Sequence, residues 1–218
     1  MTSGGAAGGT ASRERGCRAC PRLAAHLDLL KAQLPGYHCA PVPAWGSAGA
    51  RLLVVGLAPG LHGANRTGRP FTGDASGDFL FAALHRAGFA SAPAAADAVL
   101  HDLRITNAVR CLPPGNRPTA LEQQTCAGYL AAELADLWRP RMRRPRCVVA
   151  LGAVAHQSLG LALAQRLPRF RHGQAMELAP GLLLLDSYHP SRQNTHTRRL
   201  TPAMLDAVLA RARAHLYS

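Results

Sequence analysis

The side chains best suited to chemistry are concentrated in residues 56–77, which read GLAPGLHGANRTGRPFTGDASG. The glycines in this stretch allow a backbone to lie close against a ligand. Among them stand titratable, cationic and aromatic side chains, including His62, Arg66, Phe71 and Asp74. Because a simple connector has no need of this mixture, we predict that the stretch binds a ligand and supplies polar groups to it.

The glycines of this stretch do not form a nucleotide-phosphate loop. Neither Gly-Lys-Ser/Thr nor Gly-x-Gly-x-x-Gly follows the apolar run that precedes it. A helical pattern follows instead, with Ser76 as its predicted cap and an end near Gly88. Since the first turn of a helix offers unpaired N–H groups and the positive end of the helix dipole, we expect an anion or the polar edge of a ligand there.

Four of the six cysteines stand near the ends of predicted elements, as a Cys17-x-x-Cys20 pair and as Cys111 and Cys126. The first residues lack the apolar core of a signal peptide, so we expect a reducing compartment. There, a metal or cluster is a better use for cysteines than disulfides. Four thiolates suit a structural zinc as well as a [4Fe–4S] cluster, and their spacing alone does not decide between them.

The chain carries 25 Lys and Arg against 12 Asp and Glu, a formal net charge of +13. This excess indicates a polyanionic partner, with nucleic acid as the first interpretation and an anionic membrane surface as the second. The densest basic run, residues 139–146, suits a phosphate backbone or an exposed loop equally. No long uncharged apolar run occurs, and we expect a cytoplasmic protein without membrane contact.

The elements that must position these side chains alternate along the chain. Apolar runs predict four strands, at 51–55, 103–109, 147–152 and 182–187. Helices are predicted to begin at Pro21, Ser76, Thr119, Ala153 and Pro202. Strand, loop and helix repeated in this order predict a three-layer α/β/α fold with a central, mostly parallel four-stranded sheet.

The helix caps are visible in the sequence. Thr119 and Glu122 have the spacing of a capping box, for a helix that is predicted to run to about Trp138. Thr201 is predicted to cap the last helix, which Pro202 begins. Residues 1–12 contain almost nothing to bury and predict a disordered tail, and residues 13–218 predict a single domain.

Three of the predicted strand-end loops are rich in polar residues, namely 56–77, 107–118 and 187–200. The carboxyl ends of parallel strands meet at one edge of the sheet, and ligands bind there in open α/β folds. We therefore expect these three loops to form one site.

The residues that form this site carry a resemblance to a known family. The stretch 56–77, the segment AVRCLPPGNRPT and the segment SYHPSRQNTHTRRLT resemble the motifs of type 5 uracil-DNA glycosylases, the iron–sulfur branch of the uracil-DNA glycosylase superfamily. The likeness extends from Cys17 to the last helix. It implies a structural [4Fe–4S] cluster, rather than zinc, on four ligands: Cys17, Cys20, Cys111 and Cys126.

The resemblance implies a monofunctional DNA repair enzyme. Such an enzyme rotates a deaminated base, here uracil and also hypoxanthine or xanthine, out of double-stranded DNA and hydrolyses its N-glycosidic bond to leave an abasic site. In the transition state the sugar becomes cationic and the leaving base gains negative charge. The enzyme must therefore place an anion near the sugar and hydrogen-bond donors near the base. We expect it to act as a monomer.

The resemblance assigns the sugar and the leaving base to separate residues. Asp74 matches the catalytic aspartate, which activates water and stabilises the cationic sugar, although an aspartate in a Gly-Asp-Ala-Ser turn is otherwise a plain helix cap. His189 matches a histidine that donates to a base carbonyl, with a structuring role in a His-Pro turn as the alternative. Asn116 matches a further asparagine of the catalytic site.

The base pocket is assigned in the same way. Phe71 matches the aromatic residue that stacks on the base, with a core plug beneath the loop as the alternative. Gly56 and Ala58 match the backbone against which the base lies. Asn107 departs from the pattern, because type 5 members often have a small apolar residue where type 4 members use asparagine to read uracil. If Asn107 reads the base edge it favours uracil over purines; if it only caps the strand end, the broader range stands.

The contacts to DNA are assigned to two segments. Ser191, Arg192, Gln193 and Asn194 resemble the loop that enters the minor groove and fills the gap left by the flipped base, with Arg192 and Gln193 at its tip. Arg66 and Arg69 are candidates to neutralise phosphates, and an exposed charge without a contact is the alternative for either.

Two other functional classes remain open at this stage. One is a cluster-bearing DNA-binding protein without turnover, like the superfamily branch that becomes covalently trapped on its product. That branch carries a basic, histidine-containing insertion after the first motif, and this chain lacks one between Phe71 and Phe79. The other is a zinc-stabilised nucleic-acid scaffold.

Overall fold

A computed structural model describes residues 16–137 and 144–218. The predicted tail at 1–12, the predicted helix end at Trp138 and residues 139–143 of the basic run lie outside the described residues. No helix within the described part of the chain is long and apolar enough to cross a membrane.

Helices and strands alternate as the apolar pattern predicts. The helices are α1 (Pro21–Gln33), α2 (Ala64–Thr67), α3 (Ala75–Arg86), α4 (Ala120–Leu137), α5 (Ala153–Ala162), α6 (Arg192–His196) and α7 (Pro202–Tyr217). The strands are β1 (Trp45–Gly46), β2 (Leu52–Gly56), β3 (Leu103–Asn107), β4 (Arg146–Leu151), β5 (Ala175–Ala179) and β6 (Leu182–Ser187). A 3₁₀ turn covers Pro114–Asn116.

The sheet has six strands in the order β1-β3-β2-β4-β6-β5, so the prediction of a four-stranded sheet is wrong in number. The four predicted strands pair in parallel at its centre, and β1 and β5 add antiparallel edges. Neither edge strand carries a clear sequence signal. The first has two residues in a proline-rich segment, and the second reads AMELA with no β-branched residue and no fully buried position.

Apolar side chains cover both faces of the central strands, which confirms the three-layer arrangement. Alternate residues of β2 point to opposite faces: Leu52 and Val54 pack with α3 and α7, whereas Leu53 and Val55 pack with α4 and α5. Every residue of β2 and β4 is buried. Strands buried on both faces read as continuous apolar runs, and for this reason the sequence revealed them.

Two of the predicted caps are confirmed, and one is wrong. The Thr119 N–H donates to Glu122 Oε2 at 2.8 Å and the Glu122 N–H to Thr119 Oγ1 at 3.2 Å, which is the predicted capping box. Thr201 Oγ1 accepts from the Met204 N–H at 3.3 Å. Helix α3 is capped by Asp74 rather than by the predicted Ser76.

Candidate active site

Asp74 stands at the N-terminus of α3, with its two carboxylate oxygens in different surroundings. Oδ1 accepts a hydrogen bond from the Gly77 N–H at 3.0 Å, which fixes the side chain as the helix cap. Oδ2 lies against two glycines: a Cβ on Gly63 would overlap it, and a Cβ on Gly60 would lie 3.1 Å away. The two glycines therefore make room for the carboxylate at the N-terminus of the helix.

Phe71 lies beside this carboxylate, in backbone geometry that is rare outside glycine. Its φ of 53° is in the left-handed region, and its side chain is 7% exposed. The ring packs with the core beneath the loop and also reaches the strand end, because a Cβ on Gly56 would lie 2.6 Å from its Cε2. A non-glycine residue with positive φ costs free energy that the surrounding structure must offset, and such residues cluster at functional sites.

Asn107, the last residue of β3, approaches the same glycine. A Cβ on Gly56 would lie 2.5 Å from Asn107 Oδ1, so the missing side chain at Gly56 admits both the amide and the Phe71 ring. Asn107 is only 3% exposed. Within residues 16–137 and 144–218 its side-chain amide has no protein hydrogen-bond partner. The amide is therefore available both to donate to and to accept from a ligand.

His189 follows β6 and lies beside the Phe71 ring. Its ring centroid lies 5.8 Å from that of Phe71, with an angle of 32° between the ring planes. Gly152, at φ 97°, lies behind it, and a Cβ there would be 3.3 Å from His189 Cβ. Burial lowers the pKa of His189 to about 4. The imidazole is therefore neutral near pH 7 and carries one N–H to donate.

Asn116 is the catalytic-site candidate that the structure does not bring to these residues. It ends the 3₁₀ turn Pro114–Asn116 with a φ of 57°, and its side chain is exposed. Its N–H bonds the Pro113 carbonyl oxygen at 3.0 Å. Among the described residues it makes no side-chain contact with Asp74, Phe71 or His189.

The segment after His189 is braced by its own side chains. Ser191 Oγ accepts from the Asn194 N–H at 3.4 Å and caps α6. The Asn194 amide in turn donates to the His189 carbonyl oxygen at 2.8 Å, which ties the loop to the pocket. Arg192 and Gln193 are exposed at the start of α6. Of the four predicted DNA-contacting residues in this segment, Ser191 and Asn194 therefore stabilise the loop, and Arg192 and Gln193 face solvent.

The two arginines of the first loop also contact protein. Arg66 donates to the His62 carbonyl oxygen at 2.7 Å and to the Gly73 carbonyl oxygen at 3.2 Å, which closes the loop on itself. The Arg69 guanidinium lies 4.8 Å from the Trp45 ring centroid. Both residues are exposed overall, so these contacts leave each with surface for a phosphate.

The four cysteines predicted as ligands line one cavity between α1, the end of β3 and α4: Cys17, Cys20, Cys111 and Cys126. The Arg110 N–H donates to Cys126 Sγ at 3.4 Å. Burial raises the pKa of the Cys111 thiol to about 12, and the other three cysteines raise it further. Thiolates in this cavity therefore need a bound cation to offset their charge.

Four sulfur atoms meet in one cavity, a donor set that suits a structural zinc or an iron–sulfur cluster. Ala58 packs against the same group, with Leu23, Val109 and Cys126, so the first loop and the cysteine cavity share a wall. The side chain of Ala58 thus faces the cysteines.

Comparison with known proteins decides the family. Residues 43–213 match the profile of the Uracil DNA glycosylase superfamily. The chain is 50% identical over 211 residues to the type-5 uracil-DNA glycosylase of Mycobacterium leprae, covering 90% of each chain. It is 46% identical to the type-5 enzyme of Thermus thermophilus, over 90% of this chain and 92% of that one.

The chain belongs to the type-5 uracil-DNA glycosylases. The likeness to type-4 proteins is lower: the type-4 uracil-DNA glycosylase of Thermotoga maritima is 30% identical over 82% of this chain and 78% of that one. Asn107, which the motif comparison associated with type 4, therefore occurs here within a type-5 member.

Sequence reasoning missed several groups that support the site of this type-5 glycosylase. Arg110 and Glu133 form a buried ion pair at 2.8 Å beside the cysteine cavity. His156 and Asp186, near the end of β6, form another contact, at 2.9 Å. Both pairs join elements far apart in the chain, so no local pattern marks them. Gly152 carries a weak signal of a site residue in the sequence, because it directly follows a buried strand at the edge where ligands bind.

Proposed function

We propose that this chain removes uracil from double-stranded DNA by hydrolysing the N-glycosidic bond, which leaves an abasic site. One observation carries the proposal: three strand ends meet at Phe71, which lies three residues before Asp74 in the chain. The Phe71 ring lies 5.8 Å from that of His189 and, with the Asn107 amide, against Gly56. A carboxylate, an aromatic ring, a free amide and a neutral imidazole are the groups that this reaction requires. The type-5 relatives supply the reaction class.

In this proposal the base lies against Phe71, with its polar edge toward Asn107. The amide of Asn107 matches uracil because its carbonyl accepts from the ring N3–H while its NH₂ donates to a neighbouring carbonyl oxygen. Since a bound base would shield the Asn107 amide from water, a base that cannot complete both hydrogen bonds leaves it unsatisfied and binds less well. Backbone at Gly56 lies at the floor of the pocket.

Asp74 serves the sugar. A carboxylate about 4 Å from a developing full positive charge stabilises it by about 4 kcal/mol at an effective dielectric of about 20, which corresponds to roughly a thousandfold in rate. Oδ1 is held by the helix N–H, whereas Oδ2 remains for the attacking water. The same aspartate is thus both the cap of α3 and the proposed catalytic anion.

His189 serves the leaving base. A neutral imidazole N–H donates to a base carbonyl oxygen and stabilises the negative charge that grows there. Burial keeps the ring neutral, so the group acts as a hydrogen-bond donor and not as a cation. Asn116, exposed on the loop after β3, is proposed to contact the substrate at the mouth of the pocket.

The segment Ser191–Asn194 is proposed to enter the minor groove, with Arg192 and Gln193 at its tip. The hydrogen bond from Asn194 to the His189 carbonyl oxygen couples insertion of this loop to the base pocket. The exposed guanidinium groups of Arg66 and Arg69 are proposed to contact phosphates, which position the DNA without reading its sequence.

The four cysteines are proposed to hold a [4Fe–4S] cluster, which supplies structural cross-linking and no step of the hydrolysis. Its four ligands join α1, the end of β3 and α4, and Ala58 carries this constraint to the first loop. The Arg110 N–H bonded to Cys126 Sγ offsets part of the negative charge of the thiolate.

The proposal is tested by incubating the purified protein with a labelled duplex that contains one uracil, followed by alkali to break abasic sites. Turnover beyond one product per protein molecule is expected, with no break before alkali treatment. Duplexes with hypoxanthine or xanthine measure the range of bases, and a thymine duplex is the control. A protein that forms no alkali-labile site, or that stops at one covalent adduct per molecule, would refute the proposed hydrolysis.

A further inference from the structure

The consecutive residues Tyr188 and His189 direct their side chains to opposite sides of the segment after β6. His189 faces Phe71 in the base pocket. Tyr188 stacks on His172, with ring centroids 5.0 Å apart and an interplanar angle of 13°. On that same side the Arg199 guanidinium lies 4.6 Å from the Tyr188 ring centroid. Residues 187–200 thus separate the base pocket from a second surface.

This second surface opens into a groove of about 900 Å³ between α5 and residues 164–170. The residues that line it include Ala120, which follows the loop of Asn116, and Ala153, which follows Gly152. The groove therefore lies at the same carboxyl edge of the sheet as the base pocket. It shares the segment 187–200 as a wall.

The groove is cationic and rich in amides. Its polar lining includes Gln123, Gln157, Gln165, Arg166, Arg169 and Arg199. None of its lining residues is acidic. Within the described part of the chain, Arg166, Arg169 and Arg199 have no carboxylate partner, and all three are exposed. Unpaired guanidinium forks beside amide donors fit the oxygens of successive phosphates.

A buried contact fixes the outer wall of the groove. His156 Nδ1 lies 2.9 Å from Asp186 Oδ1 at the end of β6, and its Nε2 lies 2.8 Å from the Pro168 carbonyl oxygen. The histidine thereby holds Pro168, which directly precedes Arg169, against the sheet. The arginines stand on a braced segment, which lowers the entropy lost when they bind.

We propose that this groove holds the sugar–phosphate backbone of the DNA strand opposite the flipped nucleotide. The inference rests on the proposed function, because it takes the base pocket as the place of the flipped nucleotide. A duplex lying across residues 187–200 places the damaged strand on the side of Phe71 and its complement on the side of Tyr188. Contacts from guanidinium and amide groups to phosphate oxygens carry no base information, so the contact is independent of sequence.

The test compares duplex and single-stranded DNA of one sequence, each with one uracil, using the Arg166→Ala/Arg169→Ala variant. Affinity for the duplex is expected to fall about tenfold, and the dependence of log K on log salt to lessen by about 2, for two lost phosphate contacts. Affinity for the single strand is expected to change less than about twofold, since no opposite strand is present. Arg166→Lys/Arg169→Lys should recover most of the duplex affinity.

The control is Arg86→Ala/Arg213→Ala, which removes the same charge near the far ends of α3 and α7. It should leave duplex affinity unchanged, and melting temperatures verify that each variant is folded. An equal loss on both DNAs, or no loss on the duplex, overturns the proposal. Uracil release by the unaltered protein is measured in parallel, and its absence refutes the proposed function. If the unaltered protein releases uracil but the variant shows no duplex-specific loss of affinity, only the proposed role of the groove is refuted.

Discussion

The Asp74 carboxylate occupies the space in which a side chain on Gly63 would begin, because a Cβ there would overlap Oδ2. The other oxygen, Oδ1, caps α3 through the Gly77 N–H. One residue therefore satisfies a structural and a catalytic requirement at once. The two requirements separate experimentally, since only the catalytic one needs the negative charge.

Replacement of Asp74 by asparagine should abolish most activity without loss of stability. Asparagine caps helices about as well as aspartate, so α3 keeps its first turn. The lost charge should reduce the single-turnover rate of uracil excision about a thousandfold, while DNA affinity remains. Quenched single-turnover assays measure the excision rate, and chemical denaturation measures the stability. If the asparagine variant excises uracil at the normal rate, Asp74 is not the catalytic anion.

Gly63→Ala should lower activity without any change to a polar group. The new methyl group overlaps Asp74 Oδ2, so the carboxylate must move from its present position. We expect a loss of excision rate of about a hundredfold, since small misplacements of catalytic groups are costly. Gly36→Ala is the matched control, because a Cβ there meets nothing within 4 Å. Equal activity of the two alanine variants would contradict the assignment.

The stability of the protein should decrease as pH falls from 6.5 to about 4, the range between the ordinary pKa of histidine and that of His189 in the folded protein. Burial lowers the pKa of this imidazole from 6.5 to about 4. Between these values the unfolded chain binds a proton that the folded chain does not, so the free energy of unfolding rises with pH. His189 contributes up to about 3 kcal/mol to this dependence.

Urea titrations at several pH values should reveal this slope, and His189→Gln should remove a large part of it. Exposed His101 provides the control substitution. Because the neutral imidazole donates, the excision rate should not fall as pH rises from about 6 to about 8. A rate that declines with the titration of a group near 6.5 would indicate instead that a protonated histidine is required.

Asn107→Ala should reduce discrimination between bases. The substitution removes the unpartnered amide, so uracil loses two hydrogen bonds whereas the stacking surface of Phe71 stays. We expect uracil excision to fall about 10- to 100-fold, for hydrogen bonds worth about 1–3 kcal/mol, and hypoxanthine excision to fall less. Single-turnover rates on both duplexes give the ratio. An unchanged ratio would mean that the amide does not read the base.

Breaking the ion pair of Arg110 and Glu133 should destabilise the cysteine cavity. Both side chains are buried and lie 2.8 Å apart, and Arg110 also donates its N–H to Cys126 Sγ. Glu133→Gln removes the carboxylate charge from this buried contact, which should cost about 3–5 kcal/mol of unfolding free energy. The absorbance near 400 nm expected of the proposed iron–sulfur cluster should be lost faster on heating. Exposed Glu177→Gln serves as the control, and equal behaviour of the two variants would refute this coupling.

The sequence alone determined the parallel centre of the fold. Strands buried on both faces need continuous apolar residues, and caps need hydroxyl or carboxylate groups at fixed offsets, so both leave local signals. The capping box at Thr119 and the cap at Thr201 were predicted for this reason. The motifs of the three strand-end loops also identified the family, which the comparisons confirm.

Only the tertiary structure decided which neighbours each side chain meets. It added the two edge strands, because their pairing depends on backbone exposed by other strands. It made Asp74 the cap of α3 in place of Ser76, since the loop geometry set by Gly60 and Gly63 brings that carboxylate to the helix end. It directed Tyr188 and His189 to opposite sides and joined His156 to Asp186. Such contacts link residues distant in sequence, and the packing of the whole chain determines them.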